Sequence, residues 1–237
     1  MRRVGGLVLV LVAALVPACG GHRSSSALPP MAATTAPVHP VGTWIETFVD
    51  TTRAIDAHGT VAAAPSRTLR TTVLFPATAD GGAPDTAGGP YPLVVFAHGS
   101  GGLGTEYFPM LRSWAAAGYV VAAPEFPVAA SRPDGRPGDS SSIEDLANQP
   151  ADISFVVTNL LGGATPLHEV IDPNRIGAAG HSLGAMATLA LTENTCCHDE
   201  RLKAAVVLAG REAPFGSGVF FNRIRTPLLL VHGDADG

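Results

Sequence analysis

The sequence predicts an α/β fold, in which a mainly parallel sheet is covered by helices on both faces. Two observations carry this prediction. Short, continuous apolar runs rich in Val, Leu and Ala are typical of strands that are buried on both faces. These runs alternate along the chain with longer segments of helical apolar spacing, and such alternation is typical of parallel strands joined by helices.

The first two strands are predicted at residues 68–75, which alternate and are rich in β-forming residues, and at the continuous apolar run 93–97. A long loop rich in turn-forming residues joins them, and we expect the two strands to be neighbours in the sheet. Folded structure should begin near Trp44. The remaining elements are predicted as strands at 119–123, 175–179, 204–209 and 227–231, and as helices at 108–117, 143–161 and 183–192.

Length and charge limit the partners of this protein. A chain of 237 residues accommodates one α/β domain of this kind once a leader and a linker are subtracted. The net charge is −5 and no basic stretch is present, so we expect no nucleic-acid partner. A small molecule or a neutral polymer suits this surface better, and no motif predicts a cofactor or a metal.

The N-terminus predicts export. Arg2 and Arg3 precede an apolar stretch at 4–16 that is too short to span a bilayer, as in a signal peptide covering residues 1–18. The sequence "LVPAC" at its end resembles the lipobox of bacterial lipoproteins, which implies lipidation of Cys19. Ordinary cleavage and secretion is the alternative. Residues 19–42, rich in Ser, Pro, Ala and Thr, are predicted to be a tether, and residues 43–237 to form the domain.

Export to an oxidising compartment bears on the two adjacent cysteines, Cys196 and Cys197, which are the only others in the chain. They can form a vicinal disulfide, or one thiol can be buried and the other exposed at a helix end. Adjacent side chains rarely converge on one ion, so "CCHD" does not predict a metal site.

The strongest catalytic motif is Gly180-His181-Ser182-Leu183-Gly184, which lies between a predicted strand and a predicted helix. This is the context of a G-x-S-x-G nucleophile elbow, in which glycines leave room for a sharp turn and the serine is exposed above the sheet. The following helix directs free N–H groups to the same point. Ser182 is therefore the predicted nucleophile.

Acyl transfer also needs two hydrogen-bond donors for the oxyanion. One is expected from the N–H after the nucleophile, that of Leu183. The other is expected from the glycine-rich turn "HGSGG" after the strand at 93–97, and Ser100 is our choice. His98, at the end of that strand, is predicted to pack and to hold the loop rather than to act as a base.

Four segments together resemble the α/β-hydrolase superfamily: "YPLVVFAHGSGG", "WAAAGYVVAAPEFP", "DPNRIGAAGHSLG" and "TPLLLVHGDAD". The resemblance extends from about residue 44 to residue 237. It is closest to the group of dienelactone-hydrolase-like, platelet-activating-factor-acetylhydrolase-like and cutinase-like (polyester hydrolase) serine esterases. In this superfamily the catalytic triad runs Ser, acid, His along the chain.

The resemblance implies that the acid is Asp236, the second aspartate of the "HGDAD" turn, with Asp234 as its structural neighbour. Glu212, after the preceding strand, is the alternative acid. No histidine follows Asp236, so we expect the catalytic histidine, the last strand and the closing helix to lie beyond residue 237. The 237-residue form is then expected to be unstable, and inactive or severely impaired.

The predicted function is that of an exported serine hydrolase that cleaves small-molecule, lipid or polymeric carboxylic esters. It would touch the membrane only through its lipid anchor. We expect Phe126, Phe215, Phe220 and Phe221 either to form an apolar wall for the acyl group or to belong to the core. The alternative function, of a different class, is a catalytically silent lipoprotein that binds a ligand or partner in the same cleft.

Overall fold

A computed structural model of the chain describes residues 38–57, 59, 61–130, 145–163, 165–216, 218–222 and 226–235. Within these ranges, three short 3₁₀ helices, Gly104–Tyr107, Asp145–Asn148 and Pro166–Val170, connect longer elements. The strands are β1 (Val41–Asp50), β2 (Arg67–Pro76), β3 (Tyr91–Ala97), β4 (Val120–Pro124), β5 (Ile171–His181), β6 (Leu202–Leu208) and β7 (Leu228–Val231). The α-helices are α1 (Phe108–Ala116), α2 (Gln149–Leu161) and α3 (Leu183–Glu193).

The described residues form a seven-stranded sheet in the order β1-β2-β4-β3-β5-β6-β7. In the part of this order that runs β4-β3-β5-β6-β7, each strand is parallel to the next. Strand β2 pairs antiparallel with both β1 and β4. The predicted α/β class with a mainly parallel sheet is confirmed. The carboxyl ends of β3, β5, β6 and β7 therefore meet at one edge, where the loops of such sheets bind ligands.

Strand β3 shows why the strand signals were continuous apolar runs. Successive side chains of a strand point to opposite faces of the sheet. Leu93 and Val95 are buried in the cluster that contains α2 and α3, whereas Phe96 is buried in the cluster that contains α1. Because helices cover both faces, both sets of positions are apolar and no alternation remains.

The expectation that the strands predicted at 68–75 and 93–97 are neighbours is wrong. Strand β4 lies between β2 and β3, pairing Thr72 with Ala123 on one side and Val94 with Val121 on the other. The connection through residues 77–90 is long enough to pass this position. Alternation of apolar residues describes the faces of a strand, but it carries no information on which strand pairs with its edge.

The first strand, β1, has no counterpart among the predicted elements. It begins at Val41, two residues before the predicted start of the domain at residue 43, and pairs along its length with β2. Ile45 and Val49 are exposed, and Trp44 is half-buried against Phe75. An edge strand with one solvated face has mixed composition, and its signal is correspondingly weak.

A buried ion cluster joins β2 to the start of α2. Arg67 is fully buried and donates two hydrogen bonds to Asp152, at 2.7 and 2.8 Å, and two to Asp145, at 2.9 Å each. Arg53 adds a further hydrogen bond to Asp152 at 2.7 Å. The guanidinium group thus meets a carboxylate on each of two sides, which is the arrangement that makes a buried arginine tolerable.

Candidate active site

Ser182 lies on the turn between β5 and α3, the context that its motif requires. Its backbone has φ 51° and ψ −116°, a conformation that residues with a side chain rarely adopt. The Ser182 N–H donates to the Leu208 carbonyl of β6 at 3.0 Å, and its carbonyl accepts from the Met186 N–H at 3.1 Å. The residue is half-buried. The strained turn is therefore held by neighbouring elements at the carboxyl end of the sheet.

The two glycines of the motif allow this turn. A Cβ atom at Gly180 would lie against the Gly184 carbonyl group and 2.7 Å from Thr188 Oγ1. A Cβ atom at Gly184 would collide with the Ala97 carbonyl group and lie 2.5 Å from the His98 oxygen. Most of these obstacles are backbone atoms, which cannot move aside easily. The start of α3 thus packs directly on the end of β3.

The loop after β3 lies against the elbow. A Cβ atom at Gly99 would stand 3.3 Å from the Ser182 Cβ, so the two segments are in van der Waals contact. Ser100 follows at an exposed position, and Gly101 has φ 68°, which completes the turn. Leu183 is the first residue of α3, so its N–H has no acceptor within the helix. Of the two predicted oxyanion donors, Leu183 thus follows Ser182 directly, and Ser100 follows Gly99, the residue that lies against the elbow.

His98 is fully buried beneath this loop. Its Nε2 accepts a hydrogen bond from the Phe126 N–H at 3.1 Å, so in the neutral ring the proton is on Nδ1, which donates to the Gly99 carbonyl at 2.7 Å. Burial lowers the pKa of His98 to about 4. Nδ1 thus holds the loop after β3, as the sequence led us to expect, and Nε2 bonds the segment after β4.

Tyr107 makes a second connection to the same loop. Its hydroxyl group lies 3.4 Å from the Gly99 nitrogen and 2.8 Å from Nδ1 of His181, the residue before the nucleophile. The ring packs on Phe96 with centroids 4.6 Å apart. No sequence motif pointed to Tyr107, and its partner His181 is 74 positions away in sequence. An aromatic residue shortly after a glycine-rich loop is the faint signal available.

The end of β6 lies next to the elbow on the other side, and the end of β7 lies next to that of β6. The Ala209 N–H donates to the Val231 carbonyl at 2.8 Å, directly after the Leu208 carbonyl that holds Ser182. Nε2 of His232 makes a short contact with the Gly210 carbonyl. These contacts join the loop after β7 to the loop after β6 at the edge of the sheet that carries Ser182.

The predicted acid, Asp236, lies outside the described residues. Asp234 is described and is exposed in the turn after β7. Glu212, the alternative acid, is exposed in the loop after β6. The described part of the "HGDAD" turn thus follows β7, the strand that pairs with β6. The position of Asp236 relative to Ser182 stays a prediction.

The described histidines are engaged with groups other than the nucleophile. No hydrogen bond joins a histidine to the Ser182 hydroxyl among the residues that the structure describes. His22 and His58 lie outside these residues. Of the others, His39 packs edge-on against Tyr91, and hydrogen bonds join His98 to Gly99 and Phe126, His168 to Thr165, His181 to Tyr107, His198 to Thr192 and His232 to Gly210.

The four phenylalanines considered for an acyl wall divide into two pairs. Phe126 and Phe215 are buried in the main hydrophobic cluster, so they belong to the core and cannot form a surface wall. Phe220 and Phe221 are half-buried in the loop after β6, and their rings are 6.1 Å apart. Only this second pair keeps surface that a substrate could contact.

Cys196 and Cys197 are joined as a vicinal disulfide in the turn after α3. Of the two states that the sequence left open, the structure has the disulfide. Across the described part of the chain, no three His, Cys, Asp or Glu side chains converge as metal ligands would.

The segments on which the export prediction depends are not among the described residues. The signal peptide at 1–18, Cys19 and most of the tether at 19–42 fall there. Within the described ranges, every helix is too short or too polar to cross a bilayer. Lipidation of Cys19 therefore stays a prediction.

Comparison with known proteins gives two family matches. A model described as the alpha/beta hydrolase family matches residues 94–236. A model described as platelet-activating factor acetylhydrolase, isoform II, matches residues 54–130. A search of curated proteins gives no match. The first match covers more than half of the chain, including the end of β3, the elbow and β7.

Solved structures resemble this fold. A ferulic acid esterase from Streptomyces cinnamoneus is 24% identical with a TM-score of 0.62, and the alignment covers 84% of this chain and 65% of the esterase. A hypothetical protein from Pseudomonas aeruginosa is 18% identical with a TM-score of 0.49, over 72% of this chain and 43% of the other. The chain thus spans 65% and 43% of the lengths of these two proteins.

Proposed function

Since the chain belongs to the α/β hydrolase family, as its motifs indicated, we propose that it is a serine hydrolase that cleaves carboxylic esters through an acyl-enzyme on Ser182. One observation carries the proposal: the backbone of Ser182, with φ 51° and ψ −116°, is strained at the junction of β5 and α3. Strain of this kind persists only where the surrounding structure enforces it, and it is typical of nucleophile elbows.

In the proposed reaction, the Ser182 Oγ attacks the acyl carbon of the ester and forms a tetrahedral intermediate. The N–H groups of Leu183 and Ser100 donate to its oxyanion, and the N-terminus of α3 adds a favourable dipole. The bond between the acyl carbon and the alcohol oxygen then breaks, and the alcohol leaves with a proton. Water attacks the acyl-enzyme, releasing the carboxylic acid and restoring the Ser182 hydroxyl.

The proton from Ser182 needs a base. We propose a histidine oriented by Asp236, in the chain order Ser, acid, His that the family resemblance implies. The described histidines that form hydrogen bonds use them on other groups, so they are not our candidates for this base. Without a histidine in this role the protein is expected to be inactive or severely impaired, because losing a triad member lowers the rate by several orders of magnitude.

The proposed substrate is a small-molecule, lipid or polymeric ester. The partial match to the platelet-activating factor acetylhydrolase model agrees with an ester substrate. The connection between β6 and β7 spans only residues 209–227, which leaves little chain for a lid over the site. We also propose that the protein is exported and that lipid on Cys19 holds it at the membrane.

The test is covalent labelling by a fluorophosphonate, which reacts with activated serines. The chain is incubated with the probe with and without imidazole, a soluble substitute for a histidine base. We expect slow labelling, mapped by mass spectrometry to Ser182, that imidazole accelerates and that Ser182→Ala abolishes. No labelling of Ser182 under either condition would contradict the hydrolase proposal and favour the catalytically silent binding protein.

A further inference from the structure

Tyr107 connects two segments that the proposed reaction needs. It ends the 3₁₀ helix Gly104–Tyr107, directly before α1. Its hydroxyl oxygen is 3.4 Å from the Gly99 nitrogen, in the loop that carries Ser100. The same oxygen is 2.8 Å from Nδ1 of His181, the residue before Ser182. One hydroxyl group thus bridges the loop after β3 and the end of β5.

The chemistry of these groups gives the bridge a direction. The Gly99 N–H can only donate, so the Tyr107 oxygen accepts from it. The phenolic proton is then available to His181, whose Nδ1 accepts it and whose remaining proton is on Nε2. Burial, the largest contribution, raises the pKa of Tyr107, so the hydroxyl stays protonated and able to donate. Each hydrogen bond of the bridge therefore has one donor and one acceptor.

The bridge acts where small displacements matter. Gly99 has no side chain, so its backbone contacts alone determine its position. Its carbonyl is held by Nδ1 of His98 at 2.7 Å, and its N–H is held by Tyr107. A Cβ atom at Gly99 would be 3.3 Å from the Ser182 Cβ, so a shift of Gly99 moves the loop that carries Ser100 relative to the nucleophile.

We propose that Tyr107 is a positioning residue: its hydroxyl holds the loop bearing Ser100 against the elbow bearing Ser182, and so sets the separation of the two oxyanion donors. This inference rests on the proposed function. Oxyanion donors are effective because they are fixed before the reaction, and their contribution falls when they are free to move. A simple core role for Tyr107 would need only the ring, which packs on Phe96.

The variant Tyr107→Phe separates these roles, because it removes the hydroxyl group and keeps the ring. The measurement is the rate at which the fluorophosphonate labels Ser182 in the full chain in the presence of imidazole, normalised to the concentration of folded protein. We expect Tyr107→Phe to lower this rate about tenfold, less than the loss of about 100-fold or more that removing an oxyanion donor outright causes. The matched control is Tyr91→Phe, whose hydroxyl donates to Asp85 at 2.9 Å, far from the elbow in sequence. It should label like the wild type.

His181 offers an independent approach to the same bond. His181→Asn keeps an acceptor near the position of Nδ1 and should retain most of the labelling rate, whereas His181→Leu removes the acceptor and should resemble Tyr107→Phe. In the double variant Tyr107→Phe/His181→Leu the two effects should not add, because both changes break one bridge.

The outcomes separate the two proposals. If wild-type Ser182 is not labelled, the hydrolase proposal fails. If the wild type is labelled and Tyr107→Phe matches its rate, the positioning role is overturned while the hydrolase proposal stands. Equal slowing by Tyr91→Phe would also overturn it, by assigning the effect to stability. If Tyr107→Phe does not fold, as judged by circular dichroism, the His181 pair decides: equal rates for Asn and Leu contradict the bridge.

Discussion

Replacing His98 with Gln should make the protein less stable than the wild type in mildly alkaline conditions, but more stable than the wild type in mildly acidic conditions. His98 is fully buried and its pKa is lowered by burial from 6.5 to about 4. Between these values the unfolded chain binds a proton at His98 and the folded protein does not. The free energy of unfolding therefore falls as the pH drops from 6.5 towards 4. A glutamine cannot titrate, so the variant lacks this loss.

The magnitudes follow from the pKa and the hydrogen bonds. A tenfold change in proton affinity is worth about 1.4 kcal/mol. Protonation of His98 in the unfolded chain therefore lowers the free energy of unfolding of the wild type by about 2 kcal/mol at about pH 5, relative to about pH 7.5. In the variant, the side-chain oxygen of the glutamine can accept from the Phe126 N–H in place of Nε2, but the bond from Nδ1 to the Gly99 carbonyl is lost. That loss is worth about 1 kcal/mol at any pH.

The assay is urea unfolding of both proteins at about pH 7.5 and about pH 5. We expect His98→Gln to be the less stable protein by about 1 kcal/mol at the higher pH, and the more stable by a similar amount at the lower pH. The window lies above the range in which most carboxylates titrate, so their contributions largely cancel in the comparison. Parallel pH profiles for the two proteins would refute a neutral, buried His98.

Three further changes test other parts of the structure. Gly184→Ala should lower the free energy of unfolding by about 2 kcal/mol and slow labelling of the elbow serine, because its Cβ meets backbone atoms of β3; wild-type labelling would contradict this packing. Arg67→Met should lower the free energy of unfolding by about 3–5 kcal/mol in urea unfolding, because the substitution leaves two buried carboxylates without the guanidinium group that neutralises them. Adding Asp145→Asn should recover part of that loss, and strictly additive losses would be inconsistent with the ion cluster. Replacing both Cys196 and Cys197 with Ser should change it by about 1 kcal/mol at most, since their bond closes a minimal loop; a larger loss in the same assay would disprove this.

The parts of the fold that sequence could predict are those encoded in one segment. The run at 93–97 gives its strand because both faces of β3 are covered. The motif around Ser182 predicts its turn because the turn needs two glycines, Gly180 and Gly184, that are only four residues apart. In both cases the local pattern and the tertiary environment impose the same requirement, so a short stretch is enough.

The parts that escaped prediction depend on segments distant in sequence. The place of β4 between β2 and β3 results from pairing of strand edges, which side-chain patterns do not report. Arg67 would be expected at the surface, and only the convergence of Asp145 and Asp152 makes its burial possible. The bridge through Tyr107 joins Gly99 and His181, which are 8 and 74 positions away. Each of these two residues belongs to a motif, but neither motif extends to Tyr107.

Around the elbow, the groups that would touch a substrate are few, and the groups that hold them are buried further in. Gly99 accepts a hydrogen bond on its carbonyl from His98 and donates one from its N–H to Tyr107. If both bonds keep the loop in place, His98→Gln should also slow labelling of Ser182, by loosening the carbonyl side of the same residue. Since His98→Gln removes one bond and Tyr107→Phe removes the other, the double variant should label more slowly than either single variant. Equal rates for the double variant and for Tyr107→Phe would mean that only the N–H side of Gly99 controls the loop.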